Sequence, residues 1–136
     1  MIRRDERGLS LAVWTTLAMP AFVLAVGLGV DFAGHATAEQ DCRAVAREAA
    51  RSAGQQVGVT LDGTPHLDVP MARAAAASRL AAGGYTGTVE IDGSTITVTA
   101  AGEYRTVFLG MIGVDALGVD GRGTAEVART FEGVPR

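Results

Sequence analysis

The chain has 136 residues and a formal net charge of −3, and arginine supplies all 12 of its basic side chains. That length holds one small globular unit, part of which is claimed by a long apolar run. No basic stripe follows residue 31, which argues against nucleic-acid binding, and the single Cys42 excludes an internal disulfide.

Residues 1–8, MIRRDERG, concentrate charge at Arg3, Arg4, Asp5, Glu6 and Arg7. Residues 9–30, LSLAVWTTLAMPAFVLAVGLGV, then carry none. At 1.5 Å per residue this run spans roughly 33 Å, enough to cross a hydrocarbon core of about 30 Å. Arginine lies before the run, and Asp31, Glu39 and Asp41 follow it. The positive-inside rule therefore puts residues 1–8 in the cytoplasm and the rest of the chain outside. Ala36-Thr37-Ala38 has the small-x-small form of a signal peptidase site. An uncharged run of 22 residues nevertheless exceeds the usual apolar region of about 7–15 residues, and the helical pattern continues past the site. Retention of the run is the expected outcome.

Residues 31–57 continue as an amphipathic helix, with small or apolar residues at 38, 42, 45, 49 and 53. Glu39 and Arg43 stand in favourable i,i+4 order on it. The pattern predicts one helix from about residue 9 to 56, kinked within the membrane at Pro20. Ala21, Ala25, Gly29, Ala33 and Thr37 recur every fourth residue, a stripe of small side chains that lets a second helix approach closely in lipid.

Beyond residue 57 the pattern predicts a small α+β domain, 58–136. Gly58 to Pro65 reads as a turn-rich linker. Asp68 caps a short Ala-rich helix with Pro70 in its first turn, and Gly83-Gly84 ends it. TVEIDGSTITVTA alternates β-branched residues around Asp92-Gly93, which predicts a hairpin turning on that dipeptide. YRTVFLGMIGV is a compact apolar segment, a short helix or strand end closed by Gly113. ALGVDGRGTAEVART reads as a last strand loosened by Gly118, Gly121 and Gly123, giving three strands in all.

The order of these pieces resembles actinobacterial Tad-type (Flp) pilus assembly proteins, the TadE/TadG-like minor pilins. ERGLSLAVW, the span ending GLGVDFAG, and AEQDCRAVAREAARSA look like their amino-terminal helix. The TVxxDGxxxTVT hairpin, the FLGxIGV segment and the GTAEV strand are similar to their later parts. The resemblance implies a pilin-like helix packed on a small antiparallel sheet with a short extra helix. It also implies a single-pass plasma-membrane protein that joins other pilins or Tad-system membrane proteins through that helix, as a homo- or hetero-oligomer, and that either enters a cell-surface pilus or stays in the membrane on an uncleaved anchor, as TadG-like relatives do. Cleavage by a prepilin peptidase would fall between Gly8 and Leu9. One position departs from the pattern: the usual Glu five residues after the cut is Val13 here.

A catalytic reading has little to stand on. Asp31, His35, Glu39 and Cys42 fall near one helix face and are chemically able to hold a transition metal. Polar residues also cluster wherever a helix leaves a membrane, and a lone Cys on an Ala-rich face is ordinary small core filler. Gly27-Leu28-Gly29 follows too long an apolar run to be a dinucleotide loop, and His66 reads as a loop residue. The expectation is a structural protein with no catalytic residue, cofactor or metal. The alternative is a membrane-tethered extracytoplasmic binding module for a ligand or cell-envelope partner.

Overall fold

The computed structural model describes residues 5–127, with side chains from residue 10. The fold is α+β: helix α1 (Asp5–Gly54), strands β1 (Val57–Val59) and β2 (Pro65–Leu67), helix α2 (Val69–Ala82), and strands β3 (Thr86–Asp92), β4 (Thr95–Arg105) and β5 (Ala116–Glu126). A short 3-10 helix, Leu109–Ile112, lies between β4 and β5. The described residues divide into two compact units, 5–36 with 105–117 and 37–104 with 118–127.

α1 begins within the charged leader, at Asp5 instead of residue 9, and ends at Gly54. It contains Pro20 and is long and apolar enough to cross a membrane, with a mean hydropathy of 2.0 over its most apolar window. Trp14, Leu17 and Phe22 are exposed along it. The two threonine hydroxyls within this run are held by the helix itself. Thr15 donates to the Leu11 carbonyl at 2.9 Å and Thr16 to that of Ala12 at 2.8 Å. No solvent is needed to satisfy them.

In the second unit, β3, β4 and β5 form a three-stranded sheet with β4 in the centre. Period-2 burial places Ile96, Val98 and Ala100 of β4 and Val119 of β5 in the core. The second half of α1 covers them with Cys42, Ala46, Ala49, Ala50 and Ala53, and α2 adds Ala72, Ala76 and Leu80. The buried helix face is therefore rotated slightly from the one the spacing predicts, since Ala38 and Val45 are only half-buried. Arg43 and Glu39 make the expected ion pair at 3.3 Å. Asp68 caps α2 by accepting from the Met71 N–H at 3.0 Å, and the helix closes through Gly83 and a left-handed Gly84.

Three expectations need correction. The hairpin pairs Asp92 with Thr95, so its two turn residues are Gly93 and Ser94, one position later than Asp92-Gly93. Gly93 alone takes a positive φ, 59°, which matches the type II′ pattern with glycine at the first turn position. The segment after residue 57 is a second, two-stranded sheet, β1 with β2, which places His66 on a strand opposite Gly58. Its tip is tightened by Asp62, which accepts from the Thr60 hydroxyl and the Thr64 N–H. The Thr60 bond, with Thr64 behind it, also holds the Asp62 carboxyl below the usual range.

The glycines of β5 do not loosen it. A Cβ on Gly121 would meet the Arg43 nitrogen at 2.6 Å, and one on Gly123 would run into the Ala46–Arg47 backbone. Their absent side chains let strand and helix backbones touch. A Cβ on Gly118 would meet nothing within 4 Å. Gly123→Ala should therefore destabilise the folded protein by about 1–3 kcal/mol through overpacking against a backbone that cannot move aside. Gly118→Ala should change stability by no more than about 0.5 kcal/mol. Denaturant titration of both variants in detergent micelles checks the contrast.

Candidate functional site

The first unit contains the one charged side chain that is fully buried among the described residues, Asp31. It follows the apolar run directly, on the helix face one turn beyond Gly27. Its carboxylate accepts three backbone N–H groups from a single loop. Oδ1 takes that of Val107 at 2.6 Å, and Oδ2 takes those of Phe108 at 2.9 Å and Leu109 at 2.6 Å. These amides open the 3-10 helix Leu109–Ile112, whose capping residue Phe108 provides no side-chain cap of its own. Asp31 thus caps, from a distance in sequence, a helix that cannot cap itself.

Gly27 completes the contact. A Cβ there would meet the Phe108 ring at 2.5 Å, so the ring rests on bare helix backbone. The loop closes on itself behind the ring. Thr106 N–H donates to Asp115 at 3.1 Å, Met111 to Phe108 at 3.0 Å and Val114 to Leu109 at 3.0 Å. Gly113, at φ 93°, ends the short helix in the left-handed conformation, as its position in the sequence predicts. Val107, Met111 and Ile112 are left pointing outward.

The residues singled out from the sequence are distributed as follows. Gly8 and Leu9 lie on the first turns of α1, and residues 1–4 of the leader and 128–136 at the far end fall outside the described residues. Ala21, Ala25, Gly29, Ala33 and Thr37 all lie on exposed positions of α1, and Gly29 has open space around it. Asp92 and Gly93 belong to the hairpin, in the second unit.

Of the four candidate metal ligands, Asp31 and the half-buried His35 belong to the first unit, and Glu39 and Cys42 to the second. Asp31 is committed to the loop amides, Glu39 pairs with Arg43, and Cys42 is buried in the core of the second unit. Among the described residues no three His, Cys, Asp or Glu side chains are grouped to hold a metal ion. Burial pushes the Cys42 thiol up, and the nearby Asp120 carboxylate adds to the effect, so at neutral pH it is the thiol form that packs there. Tyr85, whose ring a Cβ on Gly102 would strike, donates its hydroxyl to the Ala38 carbonyl at 3.4 Å. Burial raises its pKa too. Both side chains pack in or against the small core of the second unit.

Comparison with protein-family models, curated proteins and solved structures gives no match. The site is a docking contact, in which a helix-borne carboxylate and a glycine notch hold an apolar loop.

Sequence reasoning singled out Asp31 only as an orientation marker and a weak metal candidate. The signal that could have found its role was present: the first charge after the run, and a distant FLGMIG segment lacking an N-terminal Ser, Thr, Asp or Asn cap. Asp31→Ala should cost about 2–5 kcal/mol, since three amides lose a charged acceptor at once. Hydrogen exchange reads this locally: the Val107, Phe108 and Leu109 amides should lose protection while the β3–β4 ladder keeps it. Unchanged protection at those three amides would contradict the assignment.

Proposed function

We propose that this chain is a structural subunit of a Tad-type, type IV-like pilus or of its assembly machinery, held in the plasma membrane by α1 and acting by helix packing without catalysis. The observation that carries the reading is the division of labour along one unbroken helix. From Ser10 to Val30 its large apolar side chains are uncovered by the rest of the chain, whereas from Cys42 to Ala53 it is core. An exposed apolar surface of that length in water would drive aggregation; in a bilayer or among other helices it is a working surface.

Two further features favour an anchor that stays in the mature protein. Cleavage after Ala38 would remove Asp31 and Gly27, leaving three loop amides without their acceptor and Phe108 without its seat. The small-residue stripe also leaves one side of the helix open for a neighbouring helix to approach. On this reading Arg3, Arg4 and Arg7 hold the leader in the cytoplasm, the domain built on residues 31–136 faces outward, and processing, where it occurs, falls between Gly8 and Leu9. Removing the charged cap would free the helix to leave the bilayer and pack in a filament with other pilins.

Leucine at the stripe tests the packing role. Ala25→Leu with Gly29→Leu adds bulk where both positions are exposed, so the fold itself should survive. Chemical cross-linking in native membranes should show the wild-type chain in oligomers, alone or with other pilin-type proteins, and the double variant shifted to monomer. Oligomers that persist unchanged, or a wild-type chain that is monomeric, would favour a tethered binding module instead.

A further inference from the structure

The loop between β4 and β5 is the least expected surface of the first unit. From Thr106 to Val114 it contains no charged residue, and the two charges that bound it are Arg105 and Asp115. Val107 is 61% exposed, Met111 80% and Ile112 68%. Side chains of this size at the tip of a loop are ordinarily folded inward, and here the inward position is taken by Phe108 on Gly27.

The position of the loop along α1 gives these side chains a destination. Asp31 is the first charge after the apolar run, and Gly27 lies one turn deeper, about 6 Å toward the membrane at the standard helical rise. Phe108 and the three amides are fixed at that level. On the helix itself Leu28, Val30 and Phe32 are exposed at the same height, so the helix is apolar around the level at which the loop is held. Lipid requires non-helical backbone to satisfy its polar groups internally, and most of the amide donors of the loop do so. The N–H groups of Thr106, Val107, Phe108, Leu109, Met111, Gly113 and Val114 all have acceptors within the protein. Asp31 fits the same setting, because a carboxylate that accepts three N–H groups can sit at the edge of the hydrocarbon without water around it.

We propose that residues 107–112 form a second membrane contact: the loop dips into the outer interfacial layer of the bilayer, with Val107, Met111 and Ile112 among the lipid chains and headgroups. This rests on the reading of residues 9–30 as a retained membrane span. The occupant is lipid, because an uncharged loop with exposed Val107, Met111 and Ile112 is tied to the helix at the depth where the span ends. The contact would fix the rotation of α1 about its axis relative to the membrane plane, which a lone helix cannot do.

The test uses the full chain in phosphatidylcholine vesicles, in a Cys42→Ala background, with an environment-sensitive fluorophore on a single new cysteine. Met111→Cys and Ile112→Cys probe the loop tip, where exposure leaves room for the label; Leu17→Cys reports the span and Leu61→Cys, in the exposed β1–β2 turn, reports water. Labels at 111 and 112 should show blue-shifted emission, quenching by nitroxides near the headgroup end of lipid chains, and loss of the iodide quenching seen at 61. Iodide quenching at 111 and 112 equal to that at 61, with the label at 17 still lipid-quenched, would overturn the loop contact and leave the span intact. Protection from both iodide and lipid nitroxide would mean that a protein, such as a second copy, covers the loop, and would equally overturn it. A label at 17 that no lipid nitroxide quenches would remove the span and the loop contact together.

Discussion

The three hydrogen bonds to the Asp31 carboxylate are the constraint on which the first unit depends. A charge at the end of a 22-residue uncharged run is costly unless its oxygens are occupied. The loop amides occupy them, and each bond to a charged acceptor is worth about 1.5–3 kcal/mol. The benefit runs both ways. The 3-10 helix at Leu109–Ile112 begins with a phenylalanine and has no cap of its own, so without Asp31 its first amides would be left open. One carboxylate thereby closes the apolar run of α1 and holds the apolar loop.

The contacts around it are made possible by what side chains lack. Gly27 accepts the Phe108 ring, and in the second unit Gly121 and Gly123 accept the α1 backbone. The core there is built largely from alanine, with Ile96 and Val98 its largest fully buried apolar side chains. A core of such small residues gains by bringing backbones close and gathering many short-range contacts. This is also the packing mode open to helices in lipid, where small residues set the approach distance. The same economy of side-chain size on the exposed stripe of α1 is what an assembly role would draw upon.

Much of this was legible in the sequence where the causes are local. The uncharged run, the heptad-like spacing of residues 42–53, the Asp68 cap with Pro70 and the β-branched alternation around Gly93 each act within a few residues, and each marks an element that is present. The strands Val57–Val59 and Pro65–Leu67 are three residues each, too short for a period to register. The hairpin turn moved by one residue because Asp92 is used in pairing with Thr95 and glycine alone supplies the positive φ. Asp31 escaped because its partners lie 76 to 78 residues away, and no spacing rule connects a helix carboxylate to a distant uncapped turn. Gly121 and Gly123 were visible but misread: glycine in a strand looks weak until the opposing backbone is known.

Gly27 and Asp31 are built into the fold of the first unit, so the proposed subunit keeps the apolar half of α1. Intact mass of the protein recovered from cell membranes tests this most directly. A mass corresponding to a chain that begins at Leu9, or at Met1 if the leader is kept, is the predicted result. A mass corresponding to a chain that begins at Glu39 would contradict it, because Asp31 and the helix that carries it would then be absent from the mature molecule.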